Sequence, residues 1–256
     1  MKNKTLYVVY SHTDYLDVLE IQTDYLNDYP NKILLINKTK DLDIFDEYKK
    51  VIFYDDDLPY MSRLLALDIL EEDVFIFRHE SDIPIKRDDD VVEKMAKCLI
   101  ENELDRIDLQ CEFKGDNPNT ERINIIDDIE IVRQKNIRRF IFNVNPAIWR
   151  KSAFMNVHNK YKKLTFHQSE TGTIQQHCAN LNFYKLWTDE IIYSGHFKCI
   201  KPIQNFHITA GGKWFPLRGI WHPDGTFCFQ DNSSLLDEYD DIINKYNLKN
   251  GKREFG

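Results

Sequence analysis

Four short apolar runs early in the chain are each followed at once by polar residues: Leu6-Tyr7-Val8-Val9-Tyr10, Ile33-Leu34-Leu35-Ile36, Val51-Ile52-Phe53-Tyr54 and Val74-Phe75-Ile76-Phe77. Helix-length stretches separate them. Tyr15 to about Tyr29 places Leu16, Leu19, Tyr25 and Leu26 at helical spacing and stops before Pro30, and Pro59 to Leu70 carries Met61, Leu64, Leu65 and Leu67 to Ile69 on its apolar side. A run apolar at every position suits a strand covered on both faces, and such strands alternating with helices suit parallel β-α-β units. The spacing therefore predicts an α/β fold, a mixed and mainly parallel sheet flanked by helices, with Val91 to Leu104 as a further helix.

In a sheet of this kind a ligand lies beyond the carboxyl ends of the strands. Those ends are Ser11-His12, Asn37, Asp55 to Asp57, and His79 to Asp82. In extended backbone Glu80 and Asp82 leave on the same face. Two converging carboxylates repel unless a cation sits between them, and a divalent metal carrying a diphosphate would answer that repulsion. The same residues would also serve as the start of a solvated loop. No GxGxxG follows the first strand and no GxxxxGK[ST] occurs, so a ligand would be held by side chains and a metal rather than by a glycine-rich loop.

The later chain reads differently. Ile107 to Phe113 alternates as a half-buried strand, and Lys114 to Thr120 is turn-rich. Ile129 to Val132 and Phe140 to Phe142 suggest an antiparallel pair, Asn143 to Arg150 the opening of a helix running to about Asn159, and Thr171 to Leu186 another helix. Ser169 and Thr171 are both plausible caps, which would put Glu170 near a helix amino end. A hairpin-like Ile220 to Phe229 and an amphipathic helix near Leu235 to Tyr246 complete the tail.

With 42% apolar residues in 256, one large domain can bury a core. A net charge of −8, with Lys160-Tyr161-Lys162-Lys163 as the one basic run, argues against a nucleic-acid polymer as partner. Five cysteines, an odd number without CxxC spacing, suit reduced thiols. No apolar run approaches 18 residues, so no transmembrane segment is expected, and a cytoplasmic location follows as an expectation.

Four stretches together resemble the GT-A class of nucleotide-sugar glycosyltransferases, and within it small transferases of large DNA viruses and microbes. They are Val8 to Asp14, Tyr54-Asp55-Asp56-Asp57 with Tyr60 and Arg63, Phe77-Arg78-His79-Glu80-Ser81-Asp82 where a DxD motif belongs, and Phe206 to Trp214 with its late His and GKW. The resemblance spans about residues 6 to 215 and implies a single GT-A-like domain. Residues 1–113 would form its nucleotide-sugar-binding half, and 114–256 the acceptor-side half with a C-terminal helix. The first position of ExD departs from DxD.

What the resemblance implies is a glycosyltransferase moving a sugar from a nucleotide-diphosphate donor, UDP-sugar favoured, to a hydroxyl on a glycan or protein, with Mn²⁺ or Mg²⁺ (in the host cytoplasm, if viral). Asp82, Glu80 and His207 would be the metal ligands, with Asp82 also counted as catalytic. Glu170 would take the acceptor proton. Ser11, His12, Asn37, Asp55, Asp57, Arg63, Lys213 and Trp214 would contact the nucleotide or its phosphates, and Trp149 or Trp214 could stack on a sugar. Each has a plainer reading: His207 structural, Glu170 a helix cap, the tryptophans core, Asp55 to Asp57 a solvated turn, and Arg63 paired with Asp68. Two other classes stay open, a sugar-nucleotidyltransferase, weakened by the missing glycine-rich basic first loop, and a non-catalytic nucleotide- or glycan-binding module.

Overall fold

The computed structural model describes residues 5–113, 120–126, 129–134, 142–169, 173–178, 181–188, 192–194, 197–199, 202–210, 213–214, 220–221, 227–228, 240–248 and 253. The expected first strands form as β1 (Leu6–Tyr10), β2 (Lys32–Asn37), β3 (Lys50–Tyr54) and β4 (Val74–His79). They pair in parallel in the order β3-β2-β1-β4. Between them run α1 (Leu16–Tyr25) and α2 (Tyr60–Arg63), the latter continued by a 3₁₀ turn over Leu64–Ile69.

After β4 the chain reverses into β5 (Asp82–Arg87) and then α3 (Asp89–Glu101). Asp88 caps α3, its carboxylate accepting from the Asp90 and Val91 amides at 3.1 and 3.2 Å, an arrangement typically worth about 1 kcal/mol. The helix buries Val91, Val92, Met95 and Leu99 against the sheet. β6 (Arg106–Phe113), β7 (Thr120–Ile126), β8 (Ile129–Gln134), β9 (Ala147–Arg150) and β10 (Phe183–Thr188) extend the sheet to nine strands, in the order β3-β2-β1-β4-β9-β6-β10-β8-β7.

Two expectations are corrected here. Ala147 to Arg150 is no helix opening but β9, antiparallel to both β4 and β6, with helix α4 starting only at Lys151 and running to Lys160. Burial of Ala147, Ile148 and Trp149 between two strands outweighs the local helical pattern. Phe166 to Ser169 is a short helical turn, α5, and the helix expected over Thr171 to Leu186 is α6 (Thr173–Cys178) followed by β10. β8 pairs with β7 and β10, and of its expected partner Phe140 to Phe142, residues 140 and 141 lie outside the described residues. The expected division after Phe113 falls within this one continuous sheet.

Both faces of the sheet are covered. Tyr7, Val9, Ile76 and Ile107 pack with α1 and α3, while Val8, Phe75, Phe77 and Trp149 pack with Met61, Leu64, Phe154 and Val157 from α2, its 3₁₀ extension and α4. A two-stranded ladder joins β5 to β13 (Ile203–His207), which is preceded in the chain by the pair β11 (Ile192–Ser194) and β12 (Phe197–Cys199). β14 (Thr209–Ala210) pairs with β15 (Lys213–Trp214), and the expected hairpin near the C-terminus is present as Ile220–Trp221 against Phe227–Cys228. Residues 240–245 are helical, within the span expected for the last helix. Among the described residues no helix is long and apolar enough to cross a membrane.

Candidate active site

β1 and β4 end in register, Tyr10 opposite His79, and the Glu80 amide continues the ladder by donating to the Tyr10 carbonyl at 2.9 Å. Tyr54, last residue of β3, stacks on Tyr10 with ring centroids 5.2 Å apart and planes 9° from parallel. Its hydroxyl donates to the Ser11 carbonyl at 2.9 Å. Period-two alternation puts Phe75, Phe77 and His79 on one face of β4, so His79 emerges among the aromatic side chains of that face. Tyr60, at the start of α2, meets His79 through a 2.7 Å hydrogen bond between its hydroxyl and Nε2. Phe166 in α5 stands edge-on to Tyr60 at 5.1 Å and stays 45% exposed. The carboxyl edge of the sheet thus presents an aromatic row.

An acidic corner adjoins it. The chain turns back at Glu80-Ser81, so Glu80 and Asp82 do not share one extended run as the sequence suggested, and Asp82 instead begins β5. β13 lies antiparallel with His207 opposite Asp82, and His207 Nδ1 sits 2.7 Å from Asp82 Oδ1. The His79 amide donates to Asp82 Oδ2 at 3.3 Å, and Gln22 Nε2 from α1 donates to the Asp82 carbonyl at 3.2 Å. Asp82 is therefore held from three directions.

Electrostatics separate the two carboxyls. Burial, reinforced by the charge of Asp82, pushes Glu80 up to about 8. Burial acts the same way on Asp82, but the His207 hydrogen bond, with further help from His207, His79 and Arg78, brings it below the usual carboxylate range. Burial lowers His79 to about 4, against the pull of Asp82, so at neutral pH its ring is uncharged. Burial thus favours the protonated form of Glu80, and the His207 hydrogen bond favours the ionised form of Asp82.

These groups line a cleft of about 930 Å³. Of the sequence-predicted residues, His12, Asp57, Arg63, Glu80, Asp82 and His207 reach it. His12 Nε2 lies 2.9 Å from Asp56 Oδ2, and Arg63 Nη1 lies 3.0 Å from Asp56 Oδ1, so Arg63 pairs with Asp56 rather than Asp68. The His12 hydrogen bond holds Asp56 below the usual carboxylate range. Arg63 also donates to the carbonyls of Leu58 and Asp56, at 2.8 and 2.6 Å.

Ser11 and Asn37 sit behind the wall and shape it, whereas Asp55 is exposed outside it. Ser11 is fully buried, Asn37 clamps Thr13 by accepting from its amide at 2.8 Å and donating to its hydroxyl at 3.0 Å, and Asp55 accepts from the Asp57 amide at 3.1 Å. The tryptophans are core: Trp214 is 1% exposed among Val18, Ile83 and Phe206, and Trp149 is 2% exposed against Phe154 and Phe183. Neither presents a face for stacking. Glu170 and the side chain of Lys213 lie outside the described residues.

The expected three-ligand metal centre is not built as a cage. Both Asp82 oxygens already accept hydrogen bonds, and among the described residues no three His, Cys, Asp or Glu side chains are grouped to hold an ion. An ionised carboxylate beside an imidazole still suits a cation that arrives with a diphosphate and keeps most of its waters, as Mg²⁺ commonly does.

Sequence reasoning included Tyr10, Asp56 and Tyr60 in its candidate stretches without giving them a role, and missed Phe166 as a cleft residue. The available signal was position: Tyr10 and Tyr54 are aromatic at the last residue of their strands, where side chains meet the ligand edge.

No protein-family model and no curated protein matches the chain. Solved structures with partial likeness include mannose-1-phosphate geranyltransferase from Thermus thermophilus, at 9% identity over 72% of this chain and 74% of that one, with a TM-score of 0.40. An apo UDP-glucose pyrophosphorylase is 5% identical over 79% and 93%, TM-score 0.45. HddC from Yersinia pseudotuberculosis is 12% identical over 72% and 91%, TM-score 0.44.

Proposed function

We propose that the cleft binds a nucleotide-diphosphate sugar, UDP-linked in the favoured case, and that the protein transfers the sugar to a hydroxyl of a glycan or protein. The observation that carries this reading is the meeting of an aromatic row with Asp82, Glu80 and His207 in one cleft at the carboxyl edge of the parallel strands. That edge is where α/β sheets of this kind take their ligands, and aromatic walls with a few convergent polar groups are what rings bearing hydroxyls and phosphates require.

Nucleotidyl transfer fits the cleft less well. A nucleoside triphosphate brings more negative charge, yet the loop after β1, Ser11-His12-Thr13-Asp14-Tyr15, has neither glycine nor Lys or Arg. Arg63 is engaged by Asp56 and by carbonyls. Mn²⁺ or Mg²⁺ held by Asp82 and His207 would supply the positive charge that a departing diphosphate needs. Glu170 is the residue proposed to receive the acceptor's proton.

Thermal unfolding with UDP, GDP, CDP and UMP, each with Mn²⁺ or with chelator, tests the reading. A ligand at a hundredfold its Kd stabilises the native state by about 2.7 kcal/mol, which for a chain of this size is roughly 5–10 °C. A metal-dependent rise for one diphosphate, followed by slow hydrolysis of the matching nucleotide sugar, is the expected result. No rise with any nucleotide would leave a binding module for some other ligand. Release of pyrophosphate from a triphosphate and a sugar phosphate would replace glycosyl transfer by nucleotidyl transfer.

A further inference from the structure

We propose that Arg253 is a positioning residue for the cleft: it clamps the loop after β1 in the shape that receives the ligand. The inference rests on the reading of the cleft as a nucleotide-diphosphate-sugar site.

The contacts converge on three neighbouring residues. Arg253 Nε lies 2.8 Å from Asp17 Oδ2 and Nη2 lies 3.0 Å from Asp17 Oδ1, a two-point grip. Nη2 also donates to the Asp14 carbonyl, and the guanidinium sits 4.3 Å from the Tyr15 ring centre. Asp14 and Tyr15 line the cleft, whereas Asp17 opens α1. One side chain, 236 positions from Asp17, therefore ties the wall of the cleft to the first turn of a helix.

Stabilising α1 does not account for this placement. A cation at a helix amino end opposes the helix dipole, so the arginine is on the wrong end for that purpose. Nor is it needed to attach the C-terminal segment, because Ile242, Ile243 and Leu248 pack with Val18 and Ile21, and Lys245 and Tyr246 both bond Asp24, at 3.0 and 2.6 Å. What remains is the loop. Its Tyr15 makes no side-chain cap for α1, it has no glycine-rich turn to set its path, and its inner side is pinned by Asn37 and by His12 Nδ1, which accepts from the Asp14 amide at 3.1 Å. Arg253 pins the outer side. Its charge also reaches Glu80 at the back of the cleft.

The test compares the full chain with Arg253→Ala and Arg253→Lys by three readouts: melting temperature without ligand, affinity for UDP with Mn²⁺, and hydrogen exchange of the backbone amides of residues 13–16. Arg253→Ala should leave the unliganded melting temperature close to wild type, speed exchange at 13–16 but not within residues 18–25, and weaken nucleotide binding by about tenfold or more. Arg253→Lys, which keeps the charge but not the two-point grip, should recover part of both losses. Unchanged exchange at 13–16, or faster exchange with wild-type affinity, overturns the proposal, as does a fall in unliganded melting temperature with the ligand-induced rise intact. If the wild-type protein binds none of the nucleotides, the donor-site reading falls and the ligand part of this proposal with it. The exchange contrast then decides separately whether Arg253 fixes the loop.

Discussion

Asp82 and His207 stand 125 positions apart in the sequence and 2.7 Å apart in the fold, the carboxylate 4% exposed and the imidazole 23%. The antiparallel register of β5 and β13 sets this contact, and it decides which of the two acidic residues at the turn is ionised.

Removing either partner is expected to show it. His207→Ala leaves a buried carboxylate without its principal donor, a loss of about 1.5–3 kcal/mol in urea unfolding at pH 7. Asp82→Asn keeps the shape and should cost less stability while abolishing nucleotide-dependent stabilisation. A wild-type response to nucleotide in Asp82→Asn would place ligand binding elsewhere.

Glu80 predicts an unusual pH dependence. Its folded value of about 8 lies above an unfolded value near 4.5, so the native state keeps a proton that the unfolded chain gives up between these limits. Its contribution is fully present below about 4.5 and is lost as pH rises through about 8. Glu80→Gln should gain stability relative to wild type as pH rises over that window, by at most about 1.4 kcal/mol per pH unit. A parallel pair of stability curves would contradict this.

His158 acts in the opposite sense. Its ring packs 3.9 Å from Phe154, its Nδ1 lies 2.6 Å from the Phe154 carbonyl, and burial lowers it to about 3. The unfolded chain binds a proton near pH 6.5 that the native state refuses, so stability present above that value is lost as pH falls toward about 3, again by at most about 1.4 kcal/mol per unit. Replacing His158 by Gln should flatten that limb in chemical unfolding between pH 6.5 and 4.

The aromatic row separates binding from stability. Phe166 is nearly half exposed, so Phe166→Ala should cost under about 1 kcal/mol. If the cleft takes a ring, the same change should sharply reduce ligand-induced stabilisation. Tyr60→Phe should instead cost about 1–3 kcal/mol, because it strips the hydroxyl from the buried His79 ring. Denaturant curves with and without nucleotide distinguish the two.

The parallel half of the sheet was legible because β1, β2 and β4 are apolar at nearly every position, a pattern few other environments accept. β5 was hidden by Pro84, which reads as a loop. It is tolerated because the β5–β13 register shifts between Gln204 and Phe206, so Pro84 falls in the irregular step between the Ile83 and Lys86 pairings. β9 was hidden because four residues beside a true helix carry no period of their own, and only β4 and β6 on either side make them a strand. In the cleft, residue types at strand ends pointed to His12, Asp57, Glu80 and Asp82, while Arg63 and His207 came from the GT-A resemblance. The alternation that turns Tyr10 and His79 toward Tyr60 and Phe166 needed the register between strands, which no single stretch contains. Trp214 misled because a tryptophan beside a basic residue looks the same whether it faces ligand or core.

The place of β9 between β4 and β6 also bears on how the chain can be made and cut. During synthesis β4 and β6 both emerge long before the strand that joins them, so an amino-terminal fragment ending at Phe113 carries two unsatisfied strand edges facing a slot it cannot fill. Such a fragment should aggregate rather than fold, and assembly of the whole should wait on β9, whose residues Ala147 and Arg150 pair with Phe77 and Val74 far back in the chain.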